Sequence, residues 1–202
     1  WVLASDGDLM EGISHEACSL AGHLRLRKLV VLFDDNGISI DGSISLSCSD
    51  DTLARFRAYG WDAVAIDGHD PAAIDLALQQ ARNADRPVLV ACRTVIAKGA
   101  PKKAGTSASH GSPLGAAEIA GAREALGWPH APFEIPEAIR AAWLAAGRSS
   151  RAARVDWEAR LASAPLGSEL VRRLQGRLPD DFRRIQADLL EFRGMLAREA
   201  AA

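Results

Sequence analysis

The stretch ASDGDLMEG, residues 4–12, follows at once on the apolar run WVL at residues 1–3. Two aspartates flank a glycine at the point where a short strand-like run gives way to a helical pattern. An acid and a glycine at the carboxyl end of a strand, with a helix opening behind, make either a tight turn or a seat for a metal and a phosphate. Asp6 alone reads as a turn or N-cap residue. The stretch LVVLFDDNGISIDG, residues 29–42, shifts the balance, because a second apolar run ends there in Asp34, Asp35 and Asn36. If the two runs are neighbouring parallel strands, both polar clusters emerge at one edge of the sheet, where open α/β sheets bind ligands. Asp6, the Asn36 amide oxygen and a backbone carbonyl just beyond it are oxygen donors of the kind Mg²⁺ takes. The phosphates would then rest against Gly7 and the amides of a helix beginning near Leu9.

Outward from these stretches, apolar runs recur at WVLA (1–4), KLVVLF (28–33), WDAVAI (61–66) and PVLVACRTV (87–95). None alternates strictly, so both faces of the strands are expected to be covered. Helical patterns separate them: Met10, Ile13, Ala17, Leu20, Ala21 and Leu24 at 3-and-4 spacing, then DDTLARFRAYG, then PAAIDLALQQARN with Asp70 as N-cap and Pro71 at the first helical position. This alternation predicts an α/β fold, a parallel sheet with helices on both faces. Residues 97–115 lose all periodicity and read as a long glycine- and lysine-rich loop. A helix ending at Gly127 follows, then WPHAPFEIPEAI, whose prolines enforce an extended connection. Beyond residue 140 come further helices. The last carries Phe182, Ile185, Leu189, Phe192 and Leu196 on one face, which is expected to pack on another element.

The 202 residues carry a net charge of −2, which gives no reason to expect a nucleic-acid partner. The charges are uneven: residues 1–139 hold 12 basic and 18 acidic side chains, residues 140–202 hold 12 and 8. In the second segment arginines alternate with acids and apolar positions, the pattern of a solvated helix face. Cys18, Cys48 and Cys92 are odd in number, widely spaced and without a CxxC pair, which fits reduced thiols and a cytoplasmic setting. No apolar run approaches the ~20 residues that cross a bilayer, so no membrane is expected. The chain opens on Trp1 inside a strand-like run, as a fragment of a longer protein would.

DGDLMEGISHEA followed by LVVLFDDNGISIDG resembles the thiamine-diphosphate signature of transketolase, in which a GDG motif and an Asn about 30 residues later hold the cofactor's metal. Asp6 and Asn36 are 30 apart. AYGW, IDGHD, HGSPLG and GWPHAPFEIP continue the likeness in the family's order over roughly residues 2–140. The resemblance implies thiamine diphosphate with Mg²⁺ (or Ca²⁺) as cofactors, sugar-phosphate substrates, a homodimer, and transfer of a two-carbon ketol unit in the pentose phosphate pathway. It implies Asp6, Asn36 and the Ile38 carbonyl as metal ligands, and Gly7 and Asn36 as contacts to the diphosphate. Asp34 would lie near the thiazolium ring. His110 would touch diphosphate and sugar and help move a proton, and Glu11 would couple two cofactor sites across the dimer interface. His15 and His69 read as structural, and Lys98, Lys102 and Lys103 as either phosphate attractants or a solvated loop.

Two positions depart from the family. Ser5 stands where the motif has glycine, and Asp8 where it has a small or apolar residue, so weakened cofactor binding is expected; alternatively Asp8 caps the helix. Residues 1–139 are thus expected to form a diphosphate- and metal-binding α/β domain truncated at its N-terminus. Residues 140–202 would form a helical arm leading toward a missing pyrimidine-binding domain. The isolated chain is expected to be inactive, because the glutamate that activates the cofactor lies in that domain. The rival readings are another thiamine-dependent enzyme such as deoxyxylulose-phosphate synthase, a split-transketolase subunit, and a non-catalytic module that has lost metal binding.

Overall fold

The computed structural model describes residues 1–179 and 181–199. They form two compact units, one over Trp1–Pro129 and a second that begins at His130. The first is built on four parallel strands, β1 (Val2–Ser5), β2 (Val30–Asp35), β3 (Asp62–Asp67) and β4 (Val88–Arg93), in the order β1-β2-β4-β3. β1 and β2 are neighbours, as the ligand reading of their ends requires, with Ser5 opposite Asp34. The ladder runs one or two residues further than the apolar runs, because Asp34 and Asp35 pair with Cys92 and Arg93.

Side chains alternate across the sheet and divide the core in two. On one face Ala4, Val31, Phe33, Leu89 and Ala91 pack with Leu9 of α1 (Asp6–Met10), Ala21 of α2 (Gly12–His23), Phe56 of α3 (Thr52–Ala58) and Trp61. Phe56 meets Trp61 edge-on at 5.0 Å between ring centroids, and the indole N–H donates to the Cys18 carbonyl at 2.8 Å. Burial of such side chains contributes about 1.5–3 kcal/mol each. On the other face Val30, Val88 and Val90 pack with Ala77 and Ala81 of α4 (Pro71–Arg82). Asp70 caps α4, its carboxylate accepting from the Ala72 N–H at 2.9 Å. Helices therefore lie on both faces, but α4 leaves β1 uncovered, and Leu3 is 83% exposed beside a groove of about 510 Å³.

The strand-to-helix turn differs in detail from the sequence expectation. The helix starts at Asp6 rather than near Leu9, and breaks at Glu11 before α2 begins, so Glu11 lies at a junction instead of in a first helical turn. The abrupt start is held by Asp8, whose carboxylate accepts from the Ser5 N–H and hydroxyl, each at 2.8 Å. Those bonds hold the Asp8 carboxyl below its ordinary value. Ser5 itself is extended, at φ −112° and ψ 177°, so it carries none of the strain that a positive φ would impose in place of glycine.

The loop over residues 97–115 contains a short 3₁₀ turn at Ser107–Ser109 and is pinned at several points. Glu118 of α5 (Ala116–Ala125) accepts from the Lys102 and Lys103 N–H groups at 2.9 and 3.1 Å, and the Lys103 ammonium donates to the Pro113 carbonyl at 3.1 Å. After α5 the Gly127 and Trp128 amides bond back to the Glu124 and Arg123 carbonyls, so Gly127 ends the helix as its position predicts.

The second unit holds α6 (Glu137–Arg148), α7 (Arg151–Ser163), α8 (Gly167–Leu174) and α9 (Phe182–Glu199). α6 begins directly after Pro136, three residues before the expected boundary of the arm, since a proline is tolerated at a helix start. Exposed pairs such as Arg154–Glu158 and Arg140–Glu137 bear out a solvated arginine-rich face. The apolar stripe of α9 does not pack as expected: Phe182, Ile185, Leu189, Phe192 and Leu196 are all exposed. Among the described residues no helix is long and apolar enough to cross a membrane.

α2 and the end of α3 touch through Gly22, where an added Cβ would lie 1.9 Å from the Tyr59 carbonyl oxygen. Gly22→Ala is therefore expected to lower the unfolding free energy by about 2 kcal/mol in urea titration. Gly12→Ala, in open space at the first position of the same helix, is expected to change it by under about 0.5 kcal/mol.

Candidate functional site

Parallel pairing brings the ends of β1 and β2 to the same edge, and one hydrogen bond ties them. The Gly37 N–H donates to the Asp6 carboxylate at 3.1 Å. Gly37 has φ +71°, a left-handed conformation that turns its amide back toward β1 at little steric cost for glycine. Asp6 is the buried acid of the described residues, 5% exposed. Burial pushes its carboxyl above the ordinary value; the Asp35 and Asp34 charges push the same way, and the Gly37 and Asn36 amides oppose them. The carboxylate is thus desolvated and surrounded by like charge, an environment that a cation relieves.

Asn36 is held at both ends of its amide. Its N–H donates to Asp34 at 3.0 Å, and its oxygen accepts from the Ile38 N–H at 2.9 Å. Asp34 also accepts from the Thr94 hydroxyl, beyond the end of β4. The structure therefore gathers Asp6, Asp34, Asn36 and Ile38 into one loop-and-strand-end network. Asp6 and Asp34 open to different sides, however. Asp6 lines a crevice of about 430 Å³ with Asp35, Gly37, Asp50, Thr52 and Arg93, whereas Asp34 borders the open apolar groove with Ser5 and Asp8. Strand alternation forces this, since Asp34 and Asp35 point to opposite faces.

Gly7 has no atom within 4 Å of where a Cβ would stand, so its backbone is open to approach. Glu11 is exposed at the α1–α2 junction. His110 is exposed in the loop just after the 3₁₀ turn, and no described hydrogen bond or ion pair joins it to Asp6, Asp34 or Asn36. His15 and His69 have structural partners: His15 lies 2.8 Å from the Arg55 guanidinium, and His69 accepts from the Val95 N–H at 2.9 Å. Among the described residues no group of three or more His, Cys, Asp or Glu side chains is placed to hold a metal ion. The expected donor set contains one such side chain, Asp6, together with an amide and a backbone carbonyl. Its donors are all oxygen, which fits a hard cation that keeps phosphate and water ligands.

Sequence reasoning passed over Thr94, Arg93 and Arg55. Arg93 pairs with Asp35 at 3.3 Å across the crevice. Arg55, behind Asp6, donates to the Leu9 carbonyl at 3.0 Å and ties α3 to α1. The partners that tie each of the three to this site lie far away in sequence, although Arg55 also pairs with Asp50 five residues before it at 3.5 Å. A threonine ending an apolar strand was visible, but nothing local marked what it would meet.

The family model for the transketolase thiamine diphosphate binding domain matches residues 1–179. The chromosomal transketolase of Cupriavidus necator is 55% identical over 190 residues, covering 90% of this chain and 28% of that protein. Among solved structures, the transketolase of Campylobacter jejuni superposes with a TM-score of 0.76 at 38% identity, covering 84% of this chain and 27% of that one. The Pichia stipitis transketolase in complex with sedoheptulose-7-phosphate superposes with a TM-score of 0.77 at 37% identity, covering 89% and 28%. The chain thus spans little more than a quarter of the length of these relatives. With two strand ends joined at Asp6 and Gly37, and a match running through nearly all of the sequence, this chain belongs to the transketolase family, in its thiamine diphosphate binding domain.

Proposed function

We propose that this chain is the part of a transketolase that seats the diphosphate of thiamine diphosphate through Mg²⁺, and that the complete protein transfers a two-carbon ketol unit between sugar phosphates. The observation that carries the reading is the buried Asp6, tied to Gly37 at the carboxyl edge of two parallel strands with Asn36 beside it. Asp6, the Asn36 amide oxygen and the Ile38 carbonyl are the proposed metal ligands. Gly7, with open space around it, is the proposed point of backbone approach to the diphosphate. When bound, thiamine diphosphate supplies the carbon nucleophile that carries the ketol unit.

The chain's own residues bind and orient. Asp6 neutralises the cation, Asn36 and Ile38 complete an oxygen-rich seat, and Asp34 orients the Asn36 amide from the other side. His110, on an exposed loop followed by Gly111, is the proposed proton carrier at the substrate carbonyl. Glu11 is proposed to face a second copy of the chain in a homodimer. The Pichia stipitis complex with a sugar phosphate supports the substrate class. A cytoplasmic setting is proposed from the free thiols of Cys18, Cys48 and Cys92.

Asp6→Asn is the sharpest test. The native carboxyl has a raised value, so burying its charged form costs stability at neutral pH, and that cost fades as pH falls into the ordinary carboxylate range. Asparagine keeps an acceptor for Gly37 without the charge. The metal-free variant is therefore expected to melt about 1–3 °C higher than the native chain at pH 7, with the gap closing toward pH 4. Saturating Mg²⁺ with thiamine diphosphate is expected to raise the native midpoint by about 5 °C and the variant's by none. A native chain whose midpoint does not move would sink the proposal.

Ser5 and Asp8 bear on affinity. Asp8 is a second negative charge one residue beyond Gly7, partly tamed by its bonds to Ser5. Calorimetric titration of the double variant Ser5→Gly, Asp8→Ala is expected to give several-fold tighter binding of thiamine diphosphate with Mg²⁺. Equal affinity would mean that Asp8 serves only to start the helix.

A further inference from the structure

Thr94 stands one residue beyond β4, where its N–H still donates to the Asp35 carbonyl at 3.3 Å and extends the ladder with β2. In that register its hydroxyl donates to one oxygen of the Asp34 carboxylate. The other oxygen accepts from the Asn36 amide N–H at 3.0 Å. The two ends of an asparagine amide have nearly the same shape and are told apart only by their partners. An ionised carboxylate accepts and does not donate, so Asp34 can hold only the nitrogen end. The oxygen end is then left to the Gly37–Ile38 segment, where it accepts from the Ile38 N–H at 2.9 Å.

We infer that Thr94 is a positioning residue: by anchoring Asp34 from β4, it fixes the Asn36 amide with its oxygen presented beside Gly37 and Ile38. This rests on the proposed role of Asn36 as a metal ligand, but the orientation itself is a property of the metal-free chain. Without the hydroxyl, Asp34 sits on the exposed end of β2 with a freed carboxylate oxygen, and its hold on Asn36 loosens. Valine has the same shape as threonine and lacks the donor. Serine keeps the donor.

The test needs no activity. In the ¹⁵N-labelled chain, hydrogen exchange at the Ile38 amide reports the bond to the Asn36 oxygen. Thr94→Val is expected to speed that exchange about tenfold, Thr94→Ser to leave it within about twofold of native, and the Ala81 amide on α4 to stay unchanged in both. Unchanged exchange at Ile38 in Thr94→Val would overturn the inference. So would a matching rise at Ala81, which would mark general loosening. In calorimetric titration with Mg²⁺ and thiamine diphosphate, Thr94→Val is expected to bind about tenfold more weakly and Thr94→Ser as the native chain does. If the native chain binds and Thr94→Val binds equally well, the positioning role is wrong while the cofactor site stands. If the native chain does not bind at all, the cofactor proposal fails and the exchange experiment still decides what Thr94 does to Asn36.

Discussion

The parallel ladder between β1 and β2 is the constraint on which the site depends, because it fixes where two acidic strand ends meet. Ser5 lies opposite Asp34, so the residue that follows one strand, Asp6, comes within reach of the loop that leaves the other. The Gly37 amide then closes the gap at 3.1 Å. Each element of the surrounding fold serves that register. β4 on the far side of β2 holds Asp34 and Asp35 in the sheet, and Phe56 and Trp61 press α2 and α3 against the face from which Asp6 is buried. Asp6 is desolvated by this packing, which leaves a buried carboxylate at the strand end in place of a surface turn.

Two departures from the family motif are absorbed locally. A serine before the key aspartate needs no positive φ, because the backbone there is extended. An extra acid after the glycine is drawn into bonds with that serine and starts the helix three residues earlier than hydrophobic spacing alone implies. The altered motif therefore keeps its strand–turn–helix geometry, and what it changes is the charge beside the open backbone of Gly7.

Much of this was legible without coordinates. Uniformly apolar runs alternating with 3-and-4 spaced helices carried the parallel sheet, and two such runs ending in polar clusters, at Asp6 and at Asp34–Asn36, carried the expectation that two strand ends meet; the separation of Asp6 from Asn36 spoke only through the family resemblance. Asp70 before Pro71 and Gly127 after a periodic run marked helix ends through local backbone chemistry, and the structure puts both where expected. The break at Glu11 was not legible, since the apolar period runs on through it. Nor was the packing of the α9 stripe: periodicity says that a face is apolar, and the partner that would cover it is a separate matter.

Local chemistry, then, was determined by the sequence itself: which residues turn, cap and pair in strands, because these depend on neighbours a few positions away. What only the tertiary structure decided was which of those residues meet. Strand alternation sends Asp34 and Asp35 to opposite faces, although they are adjacent in the chain. β4 delivers Thr94 to Asp34 across 60 positions. Such contacts are set by sheet order and register, which are properties of the packed whole, and so the residue that holds Asn36 in place carries no local mark of doing so.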